Sequence, residues 1–185
     1  MLYHEKLLWP ALLLGLLASG CGSDCPSSSQ GGDCQMDNTS PDTTTTVKKL
    51  SLKEGCEFIS SCTGSLSYAC SRSGGDNYYH GYVMVVDQKG WDELTAGWSA
   101  DCKPAGAPTD WIDKVLVIAA GRATGSSESS VTHSLHRRAD GSPHLKFDFR
   151  FTFDECDCFQ TPALGVVLDT DKKPVVCHKA STSCK

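Results

Sequence analysis

The sequence predicts a mostly β domain, an antiparallel sandwich or barrel-like fold with one short helix and a framework of disulfides. Three observations carry that expectation. In residues 144–154, Leu145, Phe147, Phe149, Phe151 and Phe153 alternate with Lys146, Asp148, Arg150, Thr152 and Asp154, the period-two pattern of a strand with one buried face. Only residues 89–98 show a helical period, through Trp91, Leu94 and Trp98. The chain also carries 11 cysteines in 185 residues, a density typical of exported, oxidised domains.

At the amino terminus, residues 7–17 form an apolar run of eleven after Lys6. A bilayer core needs roughly 20 apolar residues, so this run reads as a secretory signal and not as a membrane span. It ends in Ala18, Ser19 and Gly20 against Cys21. That ending resembles the lipobox of bacterial lipoproteins, with Ala18 standing where Leu is favoured. The resemblance implies a signal peptide over 1–20, cleavage before Cys21, and diacylglycerol on the Cys21 thiol. Gly22 follows, where an Asp marks inner-membrane retention in enteric-type bacteria, so the expectation is a lipid anchor in the outer membrane of a bacterial envelope.

Setting Cys21 aside leaves ten cysteines, Cys25, Cys34, Cys56, Cys62, Cys70, Cys102, Cys156, Cys158, Cys177 and Cys184. Ten close five bridges with no thiol left over, although the pairing is not readable from sequence. Short loops fit Cys25 with Cys34, Cys56 with Cys62 or Cys70, and Cys177 with Cys184. Cys156 and Cys158 sit two apart, and such neighbours on a strand point the same way. They are expected to bridge to two other segments. A zinc site wants four ligands, usually in two pairs, and no second pair with helpful spacing exists.

From Gly22 to about Thr46 the chain is almost all Ser, Thr, Gly, Asp, Gln and Pro, ending in four consecutive threonines, Thr43 to Thr46, within a tether expected over 21–49. Nothing there promises a core, so the expectation is a flexible tether with an r.m.s. reach of roughly 25 to 30 Å. The globular part is expected over 50–185. Residues 71–77 read as a turn, and 78–86 as a central strand with apolar groups on both faces. Residues 114–120 read as a buried strand through Val115, Leu116, Val117 and Ile118, and 131–137 as a further strand. Asp140-Gly141 is a tight-turn signal. Residues 164–168 and 175–177 make the last pair of strands.

The function classes that remain are narrow. The net charge is −5, with no basic patch of the kind that neutralises phosphates, so no nucleic acid partner is expected. There is no Gly-x-Ser-x-Gly elbow, no His-Glu-x-x-His, no P-loop and no dinucleotide fingerprint. The histidines at 80, 133, 136, 144 and 178 lack metal spacing. Asp154, Glu155 and Asp157, with Asp169 and Asp171, offer oxygens for Ca²⁺, but no calcium loop frames them and they read as solvated turns. Ser126, Ser127, Ser129 and Ser130 read as a polar turn. No catalytic residue, no metal and no cofactor is expected.

The order of elements is similar to that of the C-terminal domain family named for the protease complex subunit PrcB. The residues that carry this are Val83-Met84-Val85-Val86, then Trp91-Asp92-Glu93-Leu94. Pro108-Thr109-Asp110-Trp111 follows, leading into 114–121, and then Thr124-Gly125. Thr161-Pro162-Ala163-Leu164 closes the series, leading into Gly165-Val166-Val167. The match spans about 78–177. The family's Gly-Gly-aromatic turn is here Gly125-Ser126-Ser127, and its aromatic after Thr-Pro is Ala163. The resemblance implies a non-enzymatic, membrane-anchored envelope lipoprotein that supports or stabilises an exported protease. The alternatives are a protease-inhibitor-like module projecting the turn at 123–127, and a β-sandwich binding a small ligand or glycan.

Overall fold

The computed structural model of the protein describes residues 39–53, 56, 67–73, 78–154 and 158–184. The strand with the clearest alternation lies at the middle of the molecule. In β7 (Pro143–Phe153) the side chains of Leu145, Phe147, Phe149 and Phe151 are at most 1% exposed, while Lys146 and Asp148 pair with each other on the opposite face at 3.3 Å. β7 is central in a four-stranded sheet. Its order is β1 (Thr39–Pro41), β6 (Ser126–Arg138), β7 and β10 (Val175–Cys184).

The second sheet runs β2 (Thr46–Leu50), β9 (Ala163–Asp169), β5 (Lys114–Thr124), β4 (Tyr78–Val85) and β3 (Ser67–Ser73), with β8 (Phe159–Gln160) paired to the end of β5. β5 is buried on both faces, which its continuous apolar run requires. Val115, Val117 and Ala119 meet the phenylalanines of β7. Leu116, Ile118 and Ala120 meet Val83, Val85 and Leu94 on the other side. The result is three layers: sheet, sheet, and a cover of one helix with its loops.

That helix is α1 (Gln88–Thr95). It starts where Asp87 accepts a hydrogen bond from the Gly90 N–H at 2.7 Å, an N-cap of the usual kind. Trp91 and Trp98 pack edge to face at 5.9 Å, with Trp98 in the turn after the helix. Trp111 donates its Nε1–H to Gln88 Oε1 at 3.1 Å, which fixes the loop entering β5.

Four expectations are corrected here. β10 runs parallel to β7, so the sandwich is not wholly antiparallel. The chain reaches β10 from the other sheet, so no hairpin dictates its direction. Residues 126–130 belong to strand β6 and not to a turn. Serine hydroxyls suit an edge strand when they find backbone acceptors, as Ser126 Oγ does on Thr152 O at 3.1 Å. Ser71 to Ser73 continue β3 and are not part of a turn. The tether expected over 21–49 gives up Thr39–Pro41 and Thr46–Leu50, which pair with β6 and β9.

The reason for the last correction is a polar corner. Asp42 accepts hydrogen bonds from the Thr44 and Thr45 N–H groups at 2.9 and 3.1 Å, and from the Thr45 hydroxyl at 2.6 Å. Arg137 Nη2 lies 3.1 Å from Asp42 Oδ2 and also donates to the Thr44 hydroxyl. The Asp42 side chain is 0% exposed. Burial pushes its carboxyl up, and the hydrogen bonds from Thr45 and Thr44 outweigh this, holding it well below the usual carboxylate range. The corner turns the chain from the edge of one sheet to the edge of the other.

Asp42→Ala is expected to lower the unfolding free energy by about 1 to 3 kcal/mol at pH 7, because it strands several donors and a cation. A carboxyl depressed in the fold contributes above its unfolded value near 4 and loses that contribution as the pH falls through the folded value. Urea unfolding at pH 7 and pH 3 therefore shows a difference between wild type and variant that shrinks with acid. An unchanged difference would remove the corner from this role.

Candidate functional site

β6 is thirteen residues long, but β1 pairs only with its last three, Thr39 with Arg138 and Pro41 with His136. The Asp42 N–H then donates to the Leu135 carbonyl at 3.2 Å, so Leu135 turns its backbone groups toward β1. Alternate residues of an antiparallel strand direct N–H and C=O to the same side. Ser129, Val131 and His133 therefore present theirs to the same edge, beyond the end of β1. The opposite parity agrees: the Arg138 N–H reaches Ser142 O across the β6–β7 hairpin at 3.0 Å. Among the described residues, β7 pairs with one side of β6 and no strand pairs with the other side along 129–134.

A groove of about 560 Å³ runs against this edge. Residues 129–131 form one wall, residues 159–163 the other, and Leu52 with Lys53 closes one end. The second wall begins at Phe159, which is 58% exposed and carries the Arg122 guanidinium 5.3 Å from its ring centre. It ends at Thr161-Pro162-Ala163, where the Gly121 N–H donates to Pro162 O at 2.9 Å. Gly125 joins the two walls. Its φ of +76° suits glycine, its N–H donates to Cys158 O at 2.7 Å, and its carbonyl accepts from the Asp154 N–H at 3.0 Å.

The far end is held by covalent and ionic links. Cys56 and Cys102 form a disulfide with Cα atoms 5.8 Å apart, and Lys53 Nζ lies 3.2 Å from Asp101 Oδ2. The bridge overturns the short loops expected for Cys56 with Cys62 or Cys70. Cys56 instead lies buried against the helix layer, where the chain after α1 brings Cys102. Cys177 with Cys184 is excluded as well. Both lie on β10, seven residues apart, roughly 23 Å in an extended strand, against the 7 Å or so that a bridge allows. Cys158 and Cys177 are each disulfide-bonded, and Cys70 lies on β3. Cys21, Cys25, Cys34, Cys62 and Cys156 fall outside the described residues, as do Glu155 and Asp157.

The groove is built for contact. Lys53 is the one ionisable side chain among the described residues that line it. Hydroxyls from Ser129, Ser130 and Thr161, the Gln160 amide, and the apolar surfaces of Leu52, Val131, Phe159 and Pro162 supply the rest. No group of three or more His, Cys, Asp or Glu side chains converges to hold a metal ion among the described residues.

Two buried histidines lie apart from the groove. His80 on β4 and His178 on β10 meet across the two sheets with their Nδ1 atoms 2.9 Å apart, so one Nδ1–H donates to the other ring. The Phe149 ring packs on His80 at 5.3 Å and the Tyr82 ring on His178 at 5.6 Å. Burial lowers the His178 imidazole below its ordinary value. Spacing alone could not reveal this pair, because its members lie 98 residues apart.

Compared with protein-family models, curated proteins and solved structures, the chain matches none.

Two predictions follow from this geometry. Replacing Cys56 and Cys102 together by Ser is expected to cost about 2 to 4 kcal/mol in unfolding free energy, measured by denaturant titration. A full loss of the folded baseline at 25 °C would also fit, whereas an unchanged midpoint would not. His178, His133 and His144 are all lowered by burial, with Lys49 adding to the effect at His133, and Arg138 and His136 at His144. A histidine depressed in the fold contributes stability above its unfolded value of about 6.5, and that contribution fades as the pH falls below it. Unfolding free energy is therefore expected to drop between pH 7.5 and 5. His178→Gln should flatten that slope, and an identical slope would remove the pair as a contributor.

Proposed function

We propose that the protein is a non-enzymatic, lipid-anchored subunit of the bacterial cell envelope that binds an exported protein, and that this partner is a protease it supports or stabilises. The observation that carries the binding role is the groove beside β6, an open surface with backbone groups turned outward and Lys53 as its sole ionisable lining side chain among the described residues. General acid–base or nucleophilic catalysis asks for converging titratable groups, and this surface offers contact chemistry instead. The anchor rests on the residues that precede Cys21. The protease as partner rests on the likeness to the PrcB C-terminal domain, whose Thr-Pro motif corresponds here to Thr161-Pro162 on the groove wall.

Ala123 and Ser126 are fully buried and Gly125 is tied on both sides, which speaks for a corner between the sheets at 123–127 and against the inhibitor alternative.

Chemical crosslinking of the tagged full chain in native envelope, followed by affinity capture and mass spectrometry, is expected to return an exported protease in near-stoichiometric amount. Cys21→Ser should release the chain from the membrane fraction. Recovery of no protein partner would sink the binding-subunit reading, and membrane retention of the Cys21→Ser chain would sink the lipid anchor.

A further inference from the structure

We propose that the outer edge of β6, which no described strand covers along 129–134, takes up an extended segment of the protein partner by strand addition, antiparallel to β6 and in line with β1, a proposal that rests on the binding-subunit reading. The recognised chemistry is a stretch of backbone with apolar side chains at alternate positions.

The edge is incomplete in a specific way. Exposed strand edges are normally blunted by proline, lysine, bulges or very short length. The stretch 129–134 reads Ser-Ser-Val-Thr-His-Ser and has no such device. A register shift lies at one end, between Ser126 and Glu128, and β1 lies at the other. Between them Ser129, Val131 and His133 offer outward N–H and C=O groups over roughly 13 Å of strand.

β1 shows what fits. The chain's own residues 39–41 already sit on this edge in antiparallel register. They stop there because the Asp42 corner carries the chain to the other sheet. A partner segment continuing that line meets two environments in alternation. Side chains opposite Ser130 and Thr132 face solvent, as those two residues do. Side chains opposite Ser129 and Val131 face the groove and the Phe159, Pro162 and Leu52 surfaces. Strand addition of this kind draws affinity from main-chain hydrogen bonds and specificity from the pockets for alternate side chains.

The test uses the whole chain, with amide hydrogen exchange read residue by residue. The probe is the linear dodecapeptide most enriched from a random phage-displayed library. In the free protein the Ser129, Val131 and His133 amides are expected to exchange at least 100-fold faster than those of Ser130, Thr132 and Ser134. The peptide should slow those three amides at least tenfold. Ser129→Pro removes an outward N–H and no β6–β7 bond, and it should weaken peptide binding at least tenfold. Thr132→Lys, on the solvent side, should leave binding within twofold. Should Ser129→Pro fail to fold, Phe159→Ala at the exposed wall is expected to give the same loss. Three outcomes overturn the proposal: slow exchange at the three amides in the free protein, which would mean that its own chain or a second copy covers the edge; protection by the peptide elsewhere; or no enriched peptide. A partner captured from envelope equally by wild type and Ser129→Pro would overturn the edge and leave the binding-subunit reading standing. A wild-type chain that captures no partner would overturn that reading, while the exchange experiment still decides the edge.

Discussion

The thickness of one aromatic layer governs how the two sheets meet. Leu145, Phe147, Phe149 and Phe151 all project from one face of β7, and the Phe149 and Phe151 rings stack at 6.2 Å with planes 7° apart. Burying four such side chains contributes roughly 6 to 12 kcal/mol before entropy is counted. The opposing strand is shaped to admit them. A Cβ at Gly121 on β5 would lie 3.0 Å from the Tyr79 carbonyl and 3.2 Å from the Phe151 ring, so a side chain there would crowd both. Facing sheets lie about 10 Å apart, and the groove beside β6 lies where, among the described residues, no strand pairs with its outer edge.

Of the four crossings between sheets, two bear on the outer edge of β6. One is the Asp42 corner, after β1. The other is Gly125, where β5 passes directly into β6. Both involve β6, one at each end, so its outer edge is fastened at its ends and, among the described residues, carries no strand along its middle. β2 cannot reach round to cover it, since it is held on β9 from Thr46 to Leu50. Gly165 helps to hold it there: a Cβ at that position would lie 2.9 Å from Leu50 Cβ, so the close approach of β2 to β9 depends on its absence.

Much of this fold is legible in the sequence where a single period dominates. The alternation of 144–154 marks β7, the apolar run from Lys114 marks β5, and the spacing of Trp91 and Leu94 marks α1. What hides is structure made by long-range polar contacts. Nothing local distinguishes Thr39–Pro41 and Thr46–Leu50 from a solvated tract. Their order comes from pairing to β6 and β9 and from the Asp42 corner, which Arg137, 95 residues away, completes. The serines of 126–130 look like a turn because a polar edge strand carries no apolar alternation. For the same reason the groove was out of reach: its walls come from β6, β8 and the chain after β2, segments brought together only by the closure of two sheets. The cysteine count points to an oxidised framework, but the Cys56–Cys102 bridge spans 46 residues and no spacing rule selects it over shorter loops.

The rigidity of the groove bears on what it can bind. A surface that must order itself on binding loses about 0.5 to 1.5 kcal/mol for each immobilised side chain. Here the ordering is largely complete beforehand. The wall at 159–163 is fixed through the Gly121–Pro162 and Gly125–Cys158 hydrogen bonds, and the end at Leu52 and Lys53 through the disulfide and the Asp101 pair. β6 itself is locked to β7 along almost its whole length. An extended peptide entering such a slot brings nearly all of the conformational loss itself, so its backbone must be compensated by main-chain hydrogen bonds. The outward groups of Ser129, Val131 and His133 supply donors and acceptors at the strand repeat, a geometry suited to an extended backbone. The rigidity of the walls and the parity of β6 thus favour the same occupant, an extended stretch of polypeptide.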